Sequence, residues 1–287
     1  MELRWVVSSR ASGFHAAAAL VRGQPTAHAE LAAALAESAK AIGDALSLAG
    51  AASESAWEHL VPLSAGIESN RSLADVVLRK TVGGEHTSEP LVAACGDLLR
   101  AQDRVLPKLL DELELRARPL AEQWEARGPG LLAGVARAIE PGILVENADI
   151  LLVHPICGGG GQAHPSYNSV RLEAVLANPV AELPEIVRLG WLLVMLQLDL
   201  PKYSENLQRP RRVLPLAMIP PTLAAAGDVE LLDPAAALPR AVATWIPGRP
   251  AGPKVAETLS IWWQTYTDTR PPWGMALLAL EKMLDAP

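Results

Sequence analysis

Between His154 and Glu173 the chain gathers His154, Cys157, His164, Asn168 and Glu173 around four consecutive glycines, Gly158 to Gly161. Imidazole, thiol and carboxylate groups ligate borderline metals and act as bases and nucleophiles, and glycine lets a loop fold such groups round one point. Three chemistries can be written on them. His154, Cys157 and His164 can ligate a metal ion, with a fourth ligand from Glu173 or a distant residue, because a structural zinc site takes four protein ligands. Alternatively, Cys157 is a nucleophile, with His154 or His164 as base, Asn168 or Glu173 as orienter, and glycine amides as an oxyanion hole. In the third reading the glycine amides cradle an anion.

Each reading lacks its full signature. The ligand spacing matches no established zinc pattern, no Gly-Lys-Ser/Thr follows the glycines, and no G-x-G-x-x-G opens a helix. The apolar helix downstream reads Val187-Arg188-Leu189-Gly190-Trp191-Leu192, so the H-E-x-x-H of a zinc peptidase is absent. The competing expectation is that His154 and His164, each followed by proline, end strands and donate to loop carbonyls.

The elements around these residues must position them. Ile143 to Val145 and Ile150 to Val153 are β-branched and apolar without helical spacing, which predicts strand. Asn168 to Leu176 alternates Val170, Leu172, Ala174 and Leu176 with Ser169, Arg171 and Glu173, predicting a half-buried strand with Arg171 and Glu173 outward, with a short helix as the alternative. The two strands are expected to pair through the loop 154–167, bringing His154 towards Glu173. A helix beginning near Pro184 carries Ile186, Val187, Leu189, Leu192, Leu193, Leu196 and Leu200 and should be the most buried in the protein; Arg188 on it needs Glu173 or Glu185 as partner.

Upstream, the first 140 residues read as helices. Leu31, Leu35, Ile42 and Leu46 mark an amphipathic helix over Thr26 to Leu48. A second begins after Ser53 and a third after Ser69 or Asn70, the latter closed by Gly83-Gly84. A longer one, capped by Thr87 or Ser88, carries Leu91, Cys95 and Leu98 onwards and should be kinked or divided at Pro107 and Pro119. Cys95 on that stripe is a core thiol. Downstream, the prolines from Pro201 to Pro253 permit only short helices, one capped by Asp233-Pro234. Helices follow at Lys254 to Thr267 and Trp273 to Leu284, with Trp262, Trp263, Tyr266 and Trp273 read as packing.

The fold class expected is therefore mainly α (α+β): a helical N-terminal layer with a small β-hairpin or sheet around 143–176 packed on helices. A single compact unit over 1–287 is favoured over a helical domain 1–140 followed by a mixed domain 141–287. A net charge of −7 leaves no basic footprint for nucleic acid, and the cluster Arg209, Arg211, Arg212 is too short to reverse that. The most apolar window, Leu189 to Leu200, is shorter than the roughly 20 residues of a membrane helix. Two separated cysteines suit a reducing cytoplasm. The packing signals favour a soluble, non-catalytic interaction or scaffold protein with a protein partner and no nucleic acid or membrane. The competing reading is a hydrolase or metal-dependent enzyme with its site at 154–173; no cofactor is specified by these residues.

Overall fold

Leu3, Trp5 and Val7 alternate with Glu2, Arg4 and Val6, and this run forms a strand, β1 (Glu2–Val7), that opens the chain. Ser8 then caps helix α1 (Ser9–Val21), its side chain accepting from the Ala11 amide at 3.0 Å. The computed structural model describes residues 1–83, 87–140, 142–199, 208–246 and 253–285, and is 68% helical with a small mixed sheet. Gly84, Leu200 and Pro201 from the sequence reading, and the side chains of Arg209, Arg211 and Arg212, lie outside the described residues.

Four helices follow α1: α2 (Ala29–Leu48), α3 (Ser53–Ser64), α4 (Asn70–Thr81, capped by Ser69) and α5 (Glu89–Val105). α1 is buried on nearly all sides among them, which its small residues Ala16 to Ala19 permit. At Gly13 a Cβ would come 2.4 Å from Gln102 Oε1, so a larger residue at this close crossing would displace the Gln102 side chain. Pro107 divides α5 from α6 (Leu109–Ala138), as expected, but Pro119 lies inside α6. Pro119 and Leu115 are both exposed, so the carbonyl that loses its helical partner there can bond to water.

The sheet has the order β1-β2-β4-β3, with β2 (Asn147–Val153), β3 (Gly161–His164) and β4 (Ser169–Glu173). β1, β2 and β4 are parallel, and Val153 is in register with Glu173; only β3, on the edge, is antiparallel to β4. This corrects three expectations. Strand does occur in the first 140 residues, as β1. Residues 143–145 are not strand. The loop between β2 and β4 does not join a simple hairpin; it contains β3, which lets β4 lie parallel to β2.

Both sheet faces are covered. Ile150, Leu152, Val170 and Leu172 join the core formed with α6, α7 (Glu185–Val194) and the C-terminal helices. Arg171 and Glu173 point to the opposite face, where both meet His15 of α1. They are therefore buried, 7% and 1% exposed, and not outward as the alternation suggested. Alternation says that two faces differ; it does not say that the polar one is wet.

Beyond α7 the chain forms α8 (Gln208–Ala217), α9 (Ile219–Asp228), α10 (Pro234–Trp245), α11 (Pro253–Thr269) and α12 (Trp273–Asp285). Asp233 caps α10 through the Ala235 amide, as its sequence implies. Trp262, Tyr266 and Trp273 are buried in a ring cluster, with Trp262 Nε1 donating to the Ala276 carbonyl at 2.8 Å. Arg188 pairs with Glu185. No helix among the described residues is long and apolar enough to cross a membrane.

Leu192, Leu193 and Leu196 are core residues, Leu193 with no exposed surface. Leu193→Ala should lower unfolding free energy by about 2 to 5 kcal/mol in a denaturant melt; a loss below about 1 kcal/mol would mean that α7 does not anchor the core.

Candidate functional site

The parallel strands end together, and the polar residues of interest collect at their carboxyl ends, the usual position for ligands in such sheets. Glu173 closes β4. His15 comes from α1, the helix that follows β1, and Cys157 from the loop that follows β2. α1 is tied to that loop by the His154 amide, which donates to Ser12 Oγ at 2.9 Å.

Glu173 organises the cluster. Its Oε1 accepts from His15 Nε2 at 2.6 Å and from the Cys157 amide at 2.9 Å, and its Oε2 accepts from the Gly159 amide at 2.6 Å. Because a carboxylate only accepts, His15 carries its proton on Nε2. The anion cradle suggested by the glycines exists, but the anion in it is the protein's own carboxylate. Gly158 and Gly159 have φ of +80° and +128°, and a Cβ on Gly159 would lie 2.3 Å from Pro179, so this turn is available to glycine alone.

Protonation states follow from this packing. Burial would raise the Glu173 pKa, but the His15 hydrogen bond and the two amides outweigh it and hold the group below the ordinary carboxylate value. Burial, then the adjacent Arg171, pushes His15 down to about 4, so it is neutral at neutral pH. Arg171 NH1 sits 3.2 Å from His15 Nε2, and burial brings the guanidinium down to about 10, still charged. Burial and the Glu173 charge push the Cys157 thiol up to about 12. That is the reverse of what a thiolate nucleophile needs, and the amide of Gly159, one of the glycines proposed for an oxyanion hole, is already bonded to Glu173.

Of the residues singled out in the sequence, Cys157 and Glu173 are brought together and the others are not. His154 follows β2 but packs its ring 5.4 Å from His28. His164 and Asn168 lie at the opposite end of β4 from Glu173, because His164 pairs with Ser169 and Asn168 Nδ2 bonds to Asn147. His164 instead lines a 440 Å³ cavity with His59 and Tyr167, which bond to each other at 2.7 Å; its own Nε2 is buried without a partner. His15 was missed. Its signal was the short alternating run Leu3-Trp5-Val7 followed by Ser8 and an alanine-rich segment apolar on every side, the pattern of a strand feeding a buried helix.

Beside the cluster is a cleft of about 620 Å³ between the β3 edge, α7 and α10. Arg22, Gln24, Gln162, Arg171, Trp191 and Trp245 contribute to its walls. Arg171 NH2 bonds to Gln162 Oε1 at 3.3 Å, and Arg22 pairs with Glu54. The Trp191 and Trp245 rings lie 5.2 Å apart; Trp191 Nε1 donates to the Pro215 carbonyl, whereas Trp245 Nε1 is buried with no acceptor. The Cys157 thiol reaches Gln24 Oε1 at 3.6 Å, which joins the cleft to the cluster. No family model, curated protein or solved structure matches this chain.

His15, His154 and His164 are all pushed below 6.5, to about 4, 4 and 3, with burial the main cause in each. The unfolded chain therefore binds more protons, and stability present above pH 6.5 is lost as pH falls towards 4. Each histidine accounts for about 2 kcal/mol of loss by pH 5. Urea melts should show a steep decline between pH 7 and 5, less steep in His164→Gln; a flat profile would contradict the buried neutral imidazoles.

Proposed function

We propose that the protein binds a small molecule in the 620 Å³ cleft, one that carries a carboxylate or similar anionic group on a flat apolar body. The observation that carries this is Arg171, a buried guanidinium in the cleft wall. A buried cation beside open space is a natural partner for an anion, and Arg presents a planar fork that matches a carboxylate. The paired indoles of Trp191 and Trp245 supply an apolar surface. Two free cysteines are consistent with a reducing cytoplasm as the setting.

This reading takes the place of the scaffold reading because several polar groups converge beside one cleft, whereas a scaffold has no need of convergence. It also replaces a cysteine hydrolase, since the thiol is held protonated. A protein-partner reading retains one supporting observation, the exposure of Ile261 on α11 and of Met275 and Leu278 on α12.

Tryptophan fluorescence gives the test. Benzoate, salicylate and indole-3-acetate should produce saturable changes, benzyl alcohol none, and Arg171→Met should weaken the best of the three by about tenfold or more, equivalent to about 1.4 kcal/mol. Absence of saturable binding by all three carboxylates, or equal binding of the alcohol, would rule the proposal out.

A further inference from the structure

His15, Cys157 and Glu173 each offer one ligand-type atom, and these atoms lie within 4.8 Å of one another. A tetrahedral zinc-class ion, with bonds of about 2.0 to 2.3 Å, requires its donors to sit roughly 3 to 4 Å apart. Three adjustments bring the cluster to this geometry: the His15–Glu173 pair, now at 2.6 Å, opens by less than about 1 Å, any separation near 4.8 Å closes by a similar amount, and Arg171 NH1, 3.2 Å from His15 Nε2, draws back from the donor nitrogen. Gln24 Oε1, 3.6 Å from the Cys157 sulfur, is an oxygen close enough to one ligand to orient a water at the fourth position. We infer that these residues form a binding site for one divalent ion of the zinc class, independent of what occupies the cleft.

The donor set selects the ion. One thiolate, one imidazole and one carboxylate suit zinc or cobalt, whereas magnesium and calcium prefer all-oxygen shells. Binding is balanced as follows: the metal–sulfur bond forms as the Cys157 S–H bond breaks, and that proton leaves to solvent. The His15 proton moves from Nε2 to Nδ1, freeing Nε2 as a donor, and Glu173 is already ionised. The ion's two positive charges are then cancelled by thiolate and carboxylate, so Arg171 faces a neutral centre. The amides of Cys157 and Gly159 keep their bonds to Glu173 and orient it, the usual outer-shell role. His15 and Glu173 are buried, while Cys157 is half-buried and linked to the cleft through Gln24, which gives the ion its way in.

The protein, stripped with a chelator and titrated with Co²⁺ alone, should bind one ion per chain, show thiolate-to-cobalt charge-transfer absorption in the near ultraviolet, and release about one proton. Zn²⁺ should displace the cobalt. Cys157→Ser should lose the charge-transfer absorption and bind about 100-fold more weakly, with His15→Asn weakened similarly, while Cys95→Ser should match the parent. Thermal melts of the variants without metal show whether they fold. The parent spectrum decides the matter even if His15→Asn does not fold. No stoichiometric cobalt binding by the parent, absorption that persists in Cys157→Ser, or absorption lost in Cys95→Ser would each overturn the inference.

Discussion

A carboxylate withdrawn from water must be surrounded by donors, and the arrangement around Glu173 shows how much structure that requirement commits. Stranding a buried charge costs several kcal/mol, more than most single packing contacts return. Glu173 meets the requirement with the imidazole of α1, two amides of the glycine loop and the nearby charge of Arg171. Those partners come from three elements: α1, far away in sequence, the loop after β2, and β4 itself. One side chain therefore fixes where α1 lies on the sheet, how the loop after β2 turns, and which tautomer His15 adopts.

The covering of the sheet follows from the same constraint. With α6, α7 and the C-terminal helices on one face and α1 on the other, every side chain of β4 is buried, polar or not. On the polar face Arg171 and Glu173 find their partners inside the protein, whereas Ser169 Oγ is buried without one, and a cleft opens at the β3 edge. There Arg171, Gln162 and Gln24 connect the buried cluster to a space that can hold a ligand. The proposed binding cleft and the buried cluster thus share Arg171.

Much of this was legible in the sequence, for identifiable reasons. Helical periodicity and caps located α2, α4, α7 and α10, because a stripe of leucines and a capping Ser or Asp are local signals. Cys157 and Glu173 were found because their residue types stand beside an unusual glycine run. His164 and Asn168 stand apart from them, since spacing along a chain does not say at which end of a strand a residue lies, whereas His154 lies at the same strand end as Glu173 and packs on His28. β3 reverses direction and carries His164 and Asn168 to the far end of β4. His15 was hidden because its meeting with Glu173 depends on a pairing of β1 with β2 across about 140 residues, and no local pattern encodes that.

The most direct test of the central role of Glu173 is residue-resolved amide hydrogen exchange at Cys157 and Gly159. Both amides should be strongly protected in the parent protein despite lying in a glycine-rich loop, and in Glu173→Gln both should exchange much faster while Ile150 and Leu152 of β2 stay protected. Free exchange at Cys157 and Gly159 in the parent, or protection unchanged in Glu173→Gln, would contradict the account.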